Sequence, residues 1–171
     1  MEEKRDFFNK GDKGSRDALN RPFDSVEMGA QTALICEPDN KIRGKISNAL
    51  KKLGYRITEV SSAAEAFKNI RFHMYDVVAF NEIADPSTPE RNDVLAYLEM
   101  LSMAVRRRIF VALISGKHRT MDNMSAFNKS VNVIINIENI DDAEAIFRDA
   151  IAENNAFYSV FMDVLRKMGR I

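Results

Sequence analysis

The stretch TALICEPDNKIRGKISNALKKLGYRITEV, residues 32–60, decides the fold of this chain. It begins with one short apolar run, Thr32–Cys36, and ends with another, Tyr55–Val60. Between the two runs, apolar residues recur at the spacing of one helix face: Ile42, Ile46, Ala49 and Leu53. Gly54 suits the C-terminal stop of that helix, because glycine readily adopts a left-handed conformation. The stretch therefore predicts a strand, a helix and a second strand.

The same alternation continues along the chain. Three more runs are apolar almost without interruption: Asp76–Asn81, Ile109–Ser115 and Asn132–Ile137. Further helical patterns begin near Ser62, Asp93, Thr120 and Asp141 or Asp142. Because parallel strands need crossover connections, this order predicts an α/β protein with a doubly wound, five-stranded parallel sheet. Ligands of such sheets bind beyond the carboxyl ends of the strands, so the residues after each strand are the candidates for a site.

Composition excludes several classes of function. Lysine plus arginine equals aspartate plus glutamate, 25 against 25, which gives no general electrostatic reason to bind nucleic acid or an anionic membrane. Apolar runs such as Ile109–Ile114 are too short to span a bilayer, and the polar N-terminus shows no secretory signal. One cysteine, Cys36, and two histidines provide neither a disulfide nor a zinc framework. We expect a cytoplasmic protein without a cofactor.

Four segments resemble the response-regulator receiver domain. They are ALICEPDNKIR (33–43), LKKLGYRITEVSSAAEAFKNI (50–70), YDVVAFN (75–81) and FVALISG (110–116). The resemblance implies a flavodoxin-like fold with strand order 2-1-3-4-5, a receiver-like domain at residues 30–153, and a role in bacterial two-component signalling or a phosphorelay. Residues 1–29 then form a flexible N-terminal segment; the alternative is an arm that docks Phe7, Phe8 and Phe23 on a partner or on its own domain.

An active receiver, as this family is known, binds Mg²⁺ through an acidic pair after strand 1 and accepts a phosphoryl group on an aspartate ending strand 3. A Ser or Thr ends strand 4 and a Lys ends strand 5. Phosphoryl transfer needs these types: a carboxylate nucleophile, a cation that neutralises charge, and donors to the transferred oxygens. The resemblance places Glu37 and Pro38 at the acidic pair, Asn81 at the acceptor, Ser115 at the hydroxyl and Asn136 at the lysine.

The decisive departure from the family pattern is Asn81. An amide is not a carboxylate nucleophile, and it offers Mg²⁺ a neutral oxygen instead of a charged one. The missing lysine at Asn136 agrees with this, because a buried cation without its anionic partner is costly. We therefore predict a pseudo-receiver that is not an enzyme. Its degenerate pocket comprises Glu37, Asp39, Asn81, Ser115 and Asn136.

Two alternatives keep some chemistry in this pocket. In the first, an atypical Mg²⁺-dependent phosphoacceptor uses Glu82 or Asp85, although acidic loop residues are ordinarily solvated. In the second, Glu37 and Asp39 together with Asn81 form a weak site for Mg²⁺ or Ca²⁺. Acidic residues at a helix start more often cap the helix, so a metal is not part of the main prediction.

A basic cluster after strand 4 supports a further alternative. Lys117, His118 and Arg119 border the pocket and with Ser115 could receive a small anion, which makes the chain an anionic-ligand sensor. No glycine-rich phosphate loop accompanies the cluster. A second basic stretch, Arg106–Arg108, is interpreted as a solvated edge.

Side chains after residue 153 predict a partner surface. A helix from about residue 142 to residue 168 would be roughly 40 Å long, more than the domain can cover. Its outer part, within residues 154–171, carries an apolar stripe: Phe157, Phe161, Val164, Leu165 and Met168. Exposed, this stripe suits self-association as a homodimer or docking on another protein; alternatively, a break at Asn154–Asn155 folds the helix back.

Met100, Met103, Met121 and Met124 are interpreted as core residues, or else as an adaptable partner surface.

Overall fold

The structure, a computed structural model, describes residues 30–82 and 93–169. Its centre is one sheet of five parallel strands in the order β2-β1-β3-β4-β5. The strands are β1 (Thr32–Cys36), β2 (Arg56–Val60), β3 (Val77–Asn81), β4 (Phe110–Ser115) and β5 (Val133–Asn136). The predicted α/β fold and its flavodoxin-like strand order are confirmed.

Helices cover both faces of the sheet. They are α1 (Asn40–Lys52), α2 (Ala63–Phe72), α3 (Asp93–Met100), α4 (Met103–Arg106), α5 (Asn123–Asn128) and α6 (Ala143–Lys167), the last preceded by a 3-10 helix (Ile137–Asp142). Alternate side chains of β1 enter opposite cores. Ala33 and Ile35 pack with α1 and α6, while Leu34 and Cys36 pack with α2, α3 and α5. Burial on both faces explains why the strands are continuously apolar.

Local polar contacts fix where the helices begin. Ser62 Oγ accepts a hydrogen bond from the Glu65 backbone N–H at 3.3 Å, as its capping pattern predicts. The start of α5 differs from the prediction at Thr120. Asp122 caps this helix by accepting from the Ser125 N–H at 3.0 Å, and Met121 has a positive φ of 57°, which is incompatible with a helix that starts earlier.

The C-terminal helix α6 runs unbroken through Asn154–Asn155, so the predicted extended helix is confirmed and the break does not occur. Its 25 residues make it about 37 Å long. The side chain of Asn132 fastens it where it leaves the sheet. Asn132 Nδ2 donates to Asn154 Oδ1 at 2.8 Å, and Asn132 Oδ1 accepts from the Val111 N–H at 2.9 Å. One amide therefore connects β4 to α6.

Two interpretations of side-chain burial were wrong. The four methionines named above are all exposed, so they are not core residues. Arg106 is not on a solvated edge: its guanidinium donates to the Ile109 carbonyl at 2.9 Å and to the Ser130 carbonyl at 2.7 Å, and burial lowers its pKa. Ile109 directly precedes β4 and Ser130 lies in the turn before β5, and the several N–H donors of one guanidinium can bond both carbonyls.

Some predictions fall on residues that the structure does not describe. They are the N-terminal segment with Phe7, Phe8 and Phe23, and Asp85 of the β3–α3 connection. For the described ranges, none of the helices combines the length and the apolar character needed to cross a bilayer.

Candidate functional site

A cleft of about 400 Å³ opens at the carboxyl ends of β1, β3 and β4. Glu37, Asn81, Glu82 and Lys117 are among the residues that line it. The site lies here because β1 and β3 are neighbours in register, with Cys36 level with Phe80, so their following residues meet at one edge. The strand-end positions singled out in the sequence therefore share one edge of the sheet.

Glu37 and Asn81 form the floor of the cleft. Glu37 is only 1% exposed, and its Oε2 accepts a hydrogen bond from Asn81 Nδ2 at 2.8 Å. Its Oε1 accepts from the Asp39 backbone N–H at 3.0 Å. Burial raises the pKa of the Glu37 carboxyl, and these two hydrogen bonds only partly oppose that rise. Asn81 thus supplies a donor that an aspartate in the same place would lack.

Asp39 caps α1 through one oxygen of its carboxylate and also lines the cleft. Its Oδ1 accepts from the backbone N–H groups of Ile42, at 3.1 Å, and Lys41, at 2.7 Å. These two bonds hold the pKa of Asp39 below its ordinary value. The side chain of Arg43 lies beside the same turn and donates to the Glu37 carbonyl at 2.6 Å.

The donors at this edge do not fit the Mg²⁺ that a receiver fold implies. Mg²⁺ takes an octahedron of oxygens and usually one or two carboxylates of the protein. Here both Glu37 oxygens accept hydrogen bonds, Pro38 has no side-chain oxygen, and Asp39 Oδ1 caps α1. Across residues 30–82 and 93–169, no three His, Cys, Asp or Glu side chains are grouped so that they could hold a metal.

Ser115 and Glu82 form a second pair on the other side of Asn81. Ser115 is fully buried, and its Oγ donates to Glu82 Oε2 at 2.6 Å. The same Oγ accepts from the backbone N–H groups of Lys117, at 3.0 Å, and His118, at 3.2 Å. The Ser115 hydroxyl therefore closes the turn after β4 and is committed to a carboxylate of the same chain.

The carboxylate of Glu82 also gathers positive charge. Its Oε1 lies 3.2 Å from Lys129 Nζ and 3.5 Å from His118 Nε2. Burial acts to raise the pKa of Glu82, but the hydrogen bonds from Ser115 and Lys129 outweigh it and hold that pKa below its ordinary value. Sequence reasoning placed Glu82 in a solvated loop and missed Lys129, which is 47 residues away in the chain. The sequence offered one indication that Glu82 belongs to the site, namely that it directly follows β3.

Asn136 lies at the end of β5, where the resemblance expects a lysine. Its Nδ2 donates to the His118 carbonyl at 2.7 Å, and its Oδ1 accepts from the Glu138 N–H at 2.9 Å. Its backbone N–H donates to Thr120 Oγ1 at 2.9 Å. This amide joins β5 to the β4–α5 connection rather than presenting a cation to the cleft.

The basic cluster after β4 is divided by these contacts. His118 faces Glu82, whereas Lys117 and Arg119 are exposed. The structure therefore does not bring Lys117, His118 and Arg119 together around one anion, and the carboxylate of Glu82 offsets part of their charge.

The outer half of α6 carries the predicted partner surface. Phe157, Val164 and Met168 are exposed, while Phe161 and Leu165 are half-buried. The Arg107 guanidinium lies over the Phe161 ring, 5.4 Å from its centroid. Val160, which lies beside the predicted stripe but is not among its five residues, is also an exposed large hydrophobic residue. Its place three residues after Phe157 puts it on the same side of α6.

No protein-family model and no curated protein matches the sequence, whereas solved structures match the fold. A putative response regulator from Chloroflexus aurantiacus is 13% identical with a TM-score of 0.56, covering 71% of this chain and 98% of that one. A CheY-like response regulator receiver domain protein from Methanospirillum hungatei is 16% identical with a TM-score of 0.56, covering 74% and 97%. NtrX from Brucella abortus, in complex with ADP, is 18% identical with a TM-score of 0.59, covering 82% of this chain and 30% of NtrX.

These similarities establish the fold class. The chain has the fold of response regulator receiver domains, as the four segments of the sequence indicated. At identities of this size the likeness concerns the fold, and function has to be argued from the residues of the site.

Proposed function

We propose that this chain is a phosphorylation-independent, receiver-like signalling module, a pseudo-receiver that acts in the cytoplasm by binding protein and not by catalysis. The observation that carries the proposal is the hydrogen bond of 2.8 Å from Asn81 Nδ2 to the buried Glu37 carboxylate. The side chain at the acceptor position is a neutral donor committed to a structural partner. It offers no nucleophilic oxygen to a phosphoryl group.

The neighbouring groups support the same conclusion. Both Glu37 oxygens and Asp39 Oδ1 accept hydrogen bonds, and the Ser115 hydroxyl donates to Glu82 at 2.6 Å. At the end of β5, Asn136 bonds a backbone carbonyl in place of a lysine that would pair with a phosphoryl group. Among the described residues, the acceptor and lysine positions therefore carry amides, and the hydroxyl is already bonded to a carboxylate.

Glu82 is the rival phosphoacceptor within the described residues. Both of its oxygens are engaged, with Ser115 and Lys129, and its lowered pKa makes it a weaker base and a weaker nucleophile than an ordinary glutamate. These contacts favour a structural role for Glu82.

A phosphorylation assay tests the proposal directly. The full chain is incubated with acetyl phosphate or beryllofluoride and Mg²⁺, and intact mass and melting temperature are measured. We expect neither an added phosphoryl mass nor a thermal shift. An adduct that disappears in Glu82→Gln or Asp85→Asn, but persists in the control Glu138→Gln, would replace the proposal with an atypical phosphoacceptor.

The outer half of α6 is the proposed partner surface, with self-association as its main use. Its support is the exposed apolar side chains on a helix that extends past its last contacts with the sheet. We expect truncation after Glu153 to convert an oligomer into a monomer, measured by light scattering. An unchanged molar mass would contradict this part of the proposal. Because truncation also removes Asn154, the full-length variant Val160→Glu serves as a parallel test.

A further inference from the structure

Four exposed apolar side chains form a continuous stripe along the outer half of α6. Phe157 is 79% exposed, Val160 75%, Val164 49% and Met168 58%. Their spacing of three, four and four residues keeps them on one side of the helix. Several exposed apolar residues on one helix face are typical of a helix that packs against another helix.

Two charges mark the ends of this stripe. Glu153 lies one turn before Phe157, and Lys167 lies beside Met168. Neither has an ion-pair partner among the described residues, whereas their neighbours Asp149 and Asp163 are each paired with an arginine at 3.0 Å. Glu153 and Lys167 are fourteen positions apart, which is two heptads and roughly 21 Å, and Val160 lies midway between them.

We infer that the stripe pairs with the same stripe of a second copy, antiparallel and two-fold symmetric, with Val160 at the symmetry axis. In this register Val160 packs on the partner's Val160, Phe157 packs on the partner's Val164, and Glu153 faces the partner's Lys167. A two-fold contact repeats each pair, so the stripe and both charges are self-complementary. The inference rests on the proposed function and specifies its partner and its geometry.

The charge pattern selects the antiparallel arrangement over the parallel one. In a parallel pair, residues of the same number lie at the same level, so Glu153 lies level with the partner's Glu153 and two heptads away from any Lys167. The two opposite charges cannot then meet, and like charges lie on the same level of the contact. Only the antiparallel register lets both charges pair across the contact.

The molar mass of the full chain in solution is the first test. At concentrations on the order of 100 µM we expect a dimer, and Val160→Glu should give a monomer because it places two carboxylates at the axis. Ser159→Glu, on the opposite side of α6, is the matched control and should leave the dimer unchanged. A monomeric wild-type chain would overturn the inference, even if α6 binds a different protein.

Charge reversal tests the register. Glu153→Lys and Lys167→Glu should each raise the dissociation constant roughly tenfold, since each turns two attractive contacts into repulsive ones. The double reversal should return it to near the wild-type value. Lack of rescue would overturn the proposed pairing.

Disulfide trapping separates the two orientations. Cys36 does not interfere, because it is buried in β1 and burial raises the pKa of its thiol to about 11. Under mild oxidation Val160→Cys should cross-link with itself, while Phe157→Cys should cross-link with Val164→Cys in a mixture but not with itself. Self-linked Phe157→Cys would indicate a parallel pair and overturn the inference, yet leave the proposed self-association standing. The phosphorylation assay, read by mass, reports on the rest of the proposed function independently.

Discussion

The carboxyl edge of the sheet and the outer half of α6 differ in whether their side chains are bonded within the chain or exposed. At the sheet edge the polar groups are paired with one another, Asn81 with Glu37 and Ser115 with Glu82. Throughout the described part of the chain, no buried side-chain nitrogen or oxygen lacks a hydrogen-bond partner. On α6, by contrast, Phe157 is exposed to solvent. The edge where receivers usually do chemistry thus has side chains bonded to one another, and under the proposed function recognition falls to the helix.

The two glutamates at the carboxyl edge of the sheet have pKa values shifted in opposite directions. Burial raises the pKa of Glu37, whereas partners lower that of Glu82 despite burial. Glu37 is bonded by neutral N–H groups, while Glu82 faces a lysine and a hydroxyl. A carboxylate at position 81 would therefore replace one of the N–H donors that bond Glu37 with a second negative charge.

Among the substitutions at the sheet edge, Asn81→Asp should have the largest effect. It places a second carboxylate against Glu37 in place of an amide donor, and at neutral pH we expect a loss of about 2–4 kcal/mol of unfolding free energy. The two carboxyls then have raised pKa values, so the folded state holds more protons and the loss shrinks as the pH falls. Urea unfolding at pH 7.5 and pH 5 measures it.

Asn155→Asp, on the exposed side of α6, is the control and should cost less than about 0.5 kcal/mol. An Asn81→Asp variant as stable as the wild type, or one stabilised by Mg²⁺, would show that the edge can still accommodate a functional acidic pair.

Glu82→Gln should cost about 1 kcal/mol at pH 7, because the charge-assisted bonds to Ser115 and Lys129 are weakened. The folded pKa of Glu82 is lowered, so its contribution is present above the ordinary glutamate pKa and is lost as the pH falls below it. The difference between wild type and variant should therefore shrink in acid, as followed by denaturant midpoints. The exposed Glu99→Gln is the control, and a difference independent of pH would refute the electrostatic role of Glu82.

Phe157→Ala should have the smallest effect on folding. Its ring is exposed, so we expect the unfolding free energy of dilute, monomeric protein to change by less than about 0.5 kcal/mol, while self-association is weakened. Phe147→Ala, a fully buried phenylalanine on the same helix, should cost about 3–5 kcal/mol. Similar losses of unfolding free energy for both substitutions would contradict the difference between the buried inner half and the exposed outer half of α6.

Strand positions and the cap of α2 could be predicted because their causes are local. Continuous apolar runs place the strands within one residue of their bounds, and a polar residue three positions before a glutamate marks the start of α2. The meeting of Glu37 with Asn81 follows from the parallel order, since β1 and β3 end at one edge.

Other contacts join residues that are far apart in the chain, and local sequence patterns do not reveal them. Glu82 and Lys129 meet only because the end of α5 lies across the end of β3. Arg106 was judged by its charge, yet its surroundings are carbonyls supplied by two separate turns. The methionines were judged by their apolar character, yet they are exposed. The helices α3, α4 and α5 are short, and each buries only part of its surface.

The hydrogen bond from the Asn132 amide to Asn154 determines how an insertion into α6 would affect the apolar stripe. It fastens α6 at Asn154, three residues before Phe157, so the angular phase of the apolar stripe is set from a fixed origin. Each residue inserted between Asn154 and Phe157 rotates the stripe by about 100° around the helix axis. Insertions there preserve the facing direction only near a whole number of turns, such as about seven or eleven residues, so the lengths of natural insertions at this point would report whether the direction of the stripe matters.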